Sequence, residues 1–221
     1  PGGARVVSSG GRAAIEGFRD GIAARGGRSV ARVENVDVRA PKRDGLRLHG
    51  GGYEVSSVVV QDAGRDGITL GGRDFRCHGS RASRSGRFGF QIDGRNAIVG
   101  RPLAGNVAED GGNDGFHLMG SGHRLAVAES RRNRRDGITV RGSGFELTAC
   151  TATGNGIDGI SGEGGDLGFF NNRADDNGRN GLVVSGVRLV DGGGNAGSGN
   201  RGEGQQRPAI QCAIDGTPCK P

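Results

Sequence analysis

The tetrapeptide RDGI fills residues 65–68, recurs at 19–22 and 135–138, and appears as RDGL at 43–46. A recognition tag needs to occur only once, so the recurrence points to architecture. Aligning the glycine of each copy gives Gly21, Gly45, Gly67, Gly89, Gly115, Gly137, Gly159 and Gly181, with steps of 24, 22, 22, 26, 22, 22 and 22 residues. A second glycine stands five residues after each, from Gly26 and Gly50 through to Gly186. A fixed period of this length is the mark of a solenoid, in which each repeat packs on its neighbours.

Between the paired glycines lie ITL (68–70), FQI (90–92), FHL (116–118), ITV (138–140) and LVV (182–184). Their first and third residues are apolar, a period of two that predicts strands with Ile68, Leu70, Phe116, Leu118, Ile138, Val140, Leu182 and Val184 stacked inward. Tyr53 and Val55, Phe75 and Cys77, Phe145 and Leu147, and Leu167 and Phe169 fall eight and ten residues past the anchor glycines and predict a second strand. Val58 and Val60, or Cys150 and Ala152, predict a third. Asn133, Asn155 and Asn177, eighteen residues past their anchors, predict a stacked turn using the left-handed backbone that Asn tolerates. Three short strands per 22-residue turn with no helical stretch describe an all-β parallel β-helix of eight to nine coils, stacked about 4.8 Å apart. Within RDGI the Ile enters the core, the Gly is expected to adopt a turn conformation, and the Asp to cap local amides. Arg19, Arg43, Arg65 and Arg135 are expected to offset the stacked aspartates beside them.

One domain covers 1–221: a first coil or cap over 1–17, regular coils over 18–200, and a closing cap over 201–221. Hydrophobic residues make up only 33% of the chain, and its 48 glycines lack a three-residue period, so the core is thin and the sequence is neither collagen-like nor disordered. Lys42 and Lys220 are the only lysines among 30 basic residues, and the net charge is +6. Acidic residues are interspersed almost throughout without a polybasic run, which argues against nucleic acid as the partner. No stretch approaches the roughly 18 apolar residues of a membrane span. No signal peptide precedes Pro1, and the missing initiator Met leads to the expectation of a processed or trimmed chain. Cys212 and Cys219 flank AIDGTP and suit a local disulfide, which favours a secreted or periplasmic protein, whereas Cys77 and Cys150 lie three coils apart and are expected to stay free.

These columns resemble the right-handed parallel β-helix repeat proteins of the pectin-lyase-like superfold from about residue 6 to 200. The closing PAIQCAIDGTPC is similar to the end of exported bacterial members. The resemblance implies a fold shared by lyases, glycosidases, epimerases, tailspikes and proteins without activity, so function has to be argued from the site.

On such a coil the middle residue of the first strand faces outward, giving the column Ala23, Arg47, Thr69, Gln91, His117, Thr139, Ser161 and Val183. The next outward column holds Arg25, His49, Gly71, Asp93, Met119, Arg141, Glu163 and Ser185. The resemblance implies a substrate groove on this face. His117, Arg141 and Asp114 are the candidate catalytic residues, and Gln91, Asp93, Asp136, Glu163 and Arg47 the candidate substrate contacts. His117 can act as a general base, and Arg141 can neutralise a uronate carboxylate and so acidify the adjacent carbon-bound proton. Asp114 and Asp136, about 5 Å apart in neighbouring coils, also suit a glycosidase pair with one raised pKa. The four extra residues within 101–113 are expected to wall the groove.

Other patterns point away from chemistry. The Asp-Pro-His signature of alginate-type epimerases and the Asp-rich cluster of calcium-dependent pectate lyases are absent, as is Trp. Cys77 and His78 alternate to opposite faces and are not expected to bind metal, the glycine pairs precede no helix, and no cofactor is expected. Two functions stay open: an exported protein that binds or processes an acidic polysaccharide by lyase or epimerase chemistry, and a noncatalytic solenoid for adhesion or assembly.

Overall fold

The computed structural model describes residues 12–26, 32–202 and 212–219, with the strand Arg5–Val7 placed by its backbone. The chain winds as a parallel β-helix of about eight turns with three sheets and no helix among the described residues. The first sheet runs from Ile22–Arg25 through Leu46–Gly51, Ile68–Arg73, Phe90–Arg95, Phe116–Ser121, Ile138–Ser143 and Ile160–Gly165 to Leu182–Val187 and Cys212–Ile214. Among the described residues its one antiparallel partner is the closing strand Thr217–Pro218. The second sheet includes Arg76–His78 and Glu146–Thr148, and the third Arg81–Ser83 and Thr151–Thr153; both are nine-stranded and parallel. Parts of the expected caps over 1–17 and 201–221 lie outside the described residues.

The core follows the alternation. Ile68, Phe90, Phe116, Ile138, Ile160 and Leu182 pair in register and are fully buried. Phe90 and Phe116 stack with ring centroids 4.6 Å apart. Each buried side chain of this size contributes about 1.5–3 kcal/mol through removal of apolar surface from water. Where Gly162 interrupts the second inward column, Phe169 from the opposite sheet fills the space, its ring 3.2 Å from where a Cβ would stand. Tyr53 is buried and donates to the His49 carbonyl at 2.6 Å. Cys77 and Cys150 are buried and free, and Cys212 is bonded to Cys219.

The turns differ from expectation in three respects. The RDGI glycines are not left-handed; they are required by close packing, since a Cβ on Gly45 would stand 2.2 Å from Val60 Cγ1 and 2.7 Å from the Gly67 carbonyl oxygen. From Gly50 onward the glycine with positive φ is the second of each pair: Gly72 has φ +115°, and a Cβ there would fall 1.8 Å from the Gly50 carbonyl oxygen. Asn133, Asn155 and Asn177 are not left-handed either, because Asp110, Arg132 and Asp176 take that conformation one residue before the ladder position or its equivalent. The asparagines instead turn inward and form a ladder with Asn200. Asn133 Nδ2 donates to Asn155 Oδ1 at 3.0 Å, Asn155 Nδ2 to Asn177 Oδ1 at 3.1 Å, and each Oδ1 also accepts the preceding Asn amide. Buried turn amides therefore find partners within the stack.

The four extra residues fall between Ile98–Val99 of the second sheet and Val107–Glu109 of the third. Asp114 sits at the following corner, between the third sheet and the first, and His117 in the first-sheet strand that follows it. The insertion packs beside the neighbouring second-to-third-sheet turns, where Gly79 donates its amide to the Ala104 carbonyl. It does not wall the first-sheet face, because that turn faces a different corner of the coil.

Candidate functional site

The aspartates of the repeat face the corner before the first sheet, and their role links coils. Asp66 donates its amide to Asp44 Oδ1, Phe88 to Asp66 Oδ1, Asp136 to Asp114 Oδ1 and Asp158 to Asp136 Oδ1, at 3.4, 3.3, 3.3 and 3.0 Å. The caps are made to the next coil, not locally. Arginine follows the same rule: Arg65 forks onto Asp44 at 2.7 and 2.5 Å, and Arg87 onto Asp66 at 2.7 and 2.5 Å. Arg179 likewise forks onto Asp158. Each clamp bridges 21 residues, so the expected compensation exists but runs chiefly from one coil back to the one before. Bidentate pairing is the geometry in which a guanidinium best satisfies a buried carboxylate.

Asp114 and Asp136 receive no such clamp. Ile157 occupies the position that would serve Asp136, and Arg135, which would serve Asp114, forms no ion pair among the described residues. His117 takes the place of the cation, its Nδ1 lying 3.0 Å from Asp114 Oδ2. Thr139 Oγ1 lies 3.2 Å from the same oxygen and 3.3 Å from Asp136 Oδ2, which Ser161 Oγ also approaches at 3.3 Å. Burial pushes the Asp136 carboxyl above its ordinary value, the neighbouring Asp114 and Asp158 carboxylates add to the rise, and the Asp158 amide opposes it. The corner thus holds two adjacent acidic groups with unequal surroundings.

His117 is fixed on a second side as well. Its ring stacks on Phe88 at 4.5 Å and 20°, and Arg87 covers the Phe88 ring at 4.7 Å while donating to Gln91 Oε1 at 2.9 Å. In the tautomer that places the hydrogen on Nδ1 toward Asp114, the lone pair falls on Nε2, which has no partner among the described residues. His123 is the contrast: wholly buried, it accepts the Ala97 amide at Nδ1 and bonds the Met119 carbonyl through Nε2, and burial lowers its pKa. It is a structural histidine.

Of the expected site residues, Asp114, His117 and Asp136 lie in one bonded group, with Gln91 the register neighbour of His117. Arg141, Asp93 and Glu163 lie exposed on the adjacent outward column, where Arg141 pairs in register with Met119 and Glu163. Arg47 lies three strands from His117 and is 3.9 Å from Asp44. Thr139 and Ser161 were expected only as outward-facing residues, and Arg87 and Phe88 were not singled out by the sequence, although RFGF (87–90) in place of RDGI marks the exchange at Phe88. Among the described residues no group of three or more His, Cys, Asp or Glu is placed to hold a metal. No described helix is long and apolar enough to cross a membrane.

Three concavities on the described surface lie away from His117. One of about 750 Å³ follows the glycine corner past Arg73 and Arg95, one of about 700 Å³ crosses the second sheet by Phe170, and one of about 430 Å³ opens at Arg25, Arg47 and His49.

No protein-family model matches the chain, and no curated protein sequence matches it. Solved structures do. A crystal structure of the T265N mutant of the periplasmic alginate epimerase AlgG aligns with a TM-score of 0.55 at 16% identity, covering 73% of this chain and 50% of that one. The A-module of the Azotobacter vinelandii mannuronan C-5 epimerase AlgE4 aligns at 0.52 and 14% identity, covering 86% of this chain and 71% of that one. The catalytic unit of a GH87 α-1,3-glucanase from Streptomyces thermodiastaticus aligns at 0.52 and 13% identity, covering 84% and 48%. The chain spans about half the length of the first and third of these. At such identities the likeness shows the fold: this chain is a parallel β-helix of the kind found in polysaccharide-processing proteins.

Proposed function

We propose that the chain is an exported β-helix protein that processes an acidic polysaccharide by proton abstraction beside a uronate carboxylate, with His117 as the base. The observation that carries this is the exchange of an arginine clamp for His117 at Asp114. A carboxylate that only stabilises a turn is served well by arginine, as Asp44 and Asp66 are. A carboxylate that holds an imidazole by Nδ1 with Nε2 unpaired is the arrangement of an oriented base. Nε2 takes the C5 proton, and Arg141 neutralises the sugar carboxylate as negative charge develops. The C5 electron pair then forms a C4=C5 double bond as the C4–O bond breaks, with the departing oxygen taking a proton from water, which completes elimination; delivery of a proton from water to the opposite face of C5 completes epimerisation instead. Asp114 is a positioning residue, and Gln91, Asp93, Asp136 and Glu163 are the further contacts. The epimerase neighbours support this chemistry, and the Cys212–Cys219 disulfide supports export.

A noncatalytic binding solenoid is favoured by one observation: the His117 side chain is only 13% exposed, and the concavities described open elsewhere. Turnover decides between the two. Polygalacturonate, alginate and glycosaminoglycans are screened by absorbance of the unsaturated product, and by NMR of the polymer for epimerisation. Activity lost in His117→Ala supports the proposal; no turnover on any uronan sinks it.

A further inference from the structure

On the same sheet face as His117, three to four coils earlier, the chain builds a second basic feature. Ala23, Ala24, Arg25, Arg47 and His49 line a hollow of about 430 Å³. Its shape follows from small residues. Ala23 stands in register with Arg47 and leaves space above the first coil, while Gly71 lets His49 lie across it, since a Cβ there would meet His49 Nδ1 at 2.4 Å. The nearest carboxylate to Arg47 is Asp44, already held by the Arg65 fork, and Arg47 reaches it only at 3.9 Å. Neither Arg25 nor Arg47 donates a side-chain hydrogen bond to a described residue. Two guanidiniums and an imidazole therefore line one hollow without a side-chain hydrogen bond to a described residue.

We propose that Arg25, Arg47 and His49 form a carboxylate-binding subsite for a polyuronate laid along the solenoid axis toward His117. This rests on the functional reading above and names where the polymer lies. Arg47 stands three strand steps and Arg25 four from His117, about 14 and 19 Å at the strand spacing of a sheet. A sugar unit advances a polymer by nearly the same distance as one coil, so carboxylates some three to four units from the reacting one reach the hollow. Planar guanidinium forks suit carboxylates, and guanidinium is weakly hydrated, so little is lost on binding.

The test uses His117→Ala protein, in which chemistry is blocked, and calorimetric titration with uronate oligomers of increasing length. Affinity should step up about tenfold once the oligomer spans three to four units beyond the His117 position, as a second linked contact becomes available. The step should disappear in Arg25→Gln and Arg47→Gln backgrounds with an unchanged Tm, and be absent for carboxyl-reduced, neutral oligomers. A step that persists in both arginine variants overturns the subsite, as does displacement of the long oligomer by inorganic phosphate at equal concentration, which marks a simple anion site. The two proposals fail separately. Length-dependent, arginine-dependent binding without turnover in the unmodified chain leaves the subsite and removes His117 as a base; turnover with no arginine-dependent step does the reverse.

Discussion

Asp114 Oδ2 faces Nδ1 of His117 at 3.0 Å in the coil after the one where Arg87, not histidine, forks onto Asp66. One column of aspartates thus holds two kinds of partner, and the difference can be tested. Asp114→Asn keeps an oxygen acceptor but can turn its amide toward the ring and favour the wrong tautomer. It should lower kcat on a uronan by about 10²-fold or more with little change in KM, the scale of general-base catalysis. A change confined to KM would place Asp114 in substrate binding instead.

Clamped and unclamped arginines should differ in stability. Arg65→Ala leaves Asp44, fully buried, without its fork and should cost about 1–3 kcal/mol in urea unfolding. Arg135→Ala should fall within about 0.5 kcal/mol of the unmodified chain, as expected for an exposed side chain that forms no ion pair among the described residues. Equal effects would show that the forks add nothing.

Stability should respond to pH through Asp136. Its folded pKa lies above the ordinary 3.8, so the folded state holds this proton more tightly than the unfolded chain. The resulting stabilisation is complete below 3.8 and is lost as pH rises through the folded pKa. Asp136→Asn, which keeps an oxygen for the Asp158 amide and copies Asn180 two coils later, lacks this loss. The variant should gain on the unmodified chain as pH is raised from acid toward neutrality, read as a widening Tm difference. A constant difference would remove the claim.

Asn155→Ala should destabilise the stack by about 1–3 kcal/mol, because it leaves the buried Asn133 amide without its acceptor and removes one of the acceptors of Asn133 Nδ2. Equilibrium unfolding measures it. An effect below 0.5 kcal/mol, the noise of an exposed substitution, would mean that water replaces the ladder.

Thiol titration should find two free thiols in denatured, nonreduced protein, from Cys77 and Cys150, and none reacting readily in the folded state. Burial pushes both thiols up to about 12, so the reactive thiolate is scarce. Four thiols would refute the Cys212–Cys219 bond.

The solenoid was legible because the information is periodic: the alternation at Ile68 and Leu70 repeats at Phe116 and Leu118, and a shared register is the only way to bury both. The pairing of His117 with Asp114 was less so. Spacing put both on one corner, but nothing local tells that Arg135 leaves Asp114 to the histidine while Arg65 and Arg87 reach back to theirs. The exchange of Asp for Phe88 and of Arg for Ile157 was visible in the letters, and a column-by-column search for broken pairs would have drawn attention to both. The left-handed turn was misassigned to Asn133 because Asn satisfies two demands, a strained backbone and a buried amide, and sequence does not say which is being met. The role of residues 101–113 depended on which of three corners receives the extra length, and the period records only that length was added.

The asparagine ladder and the arginine forks bridge residues about one turn apart, Asn133 to Asn155 and Arg87 to Asp66. Each turn is thereby informed only by the turns above and below it, and the molecule behaves as a one-dimensional lattice. A lesion at Asn155 should loosen its own neighbourhood without reaching Leu46, and excision of one whole 22-residue unit should yield a shorter rod with its remaining contacts intact. Length in this architecture is an adjustable quantity, and any polymer aligned with the axis would be measured against it in whole turns.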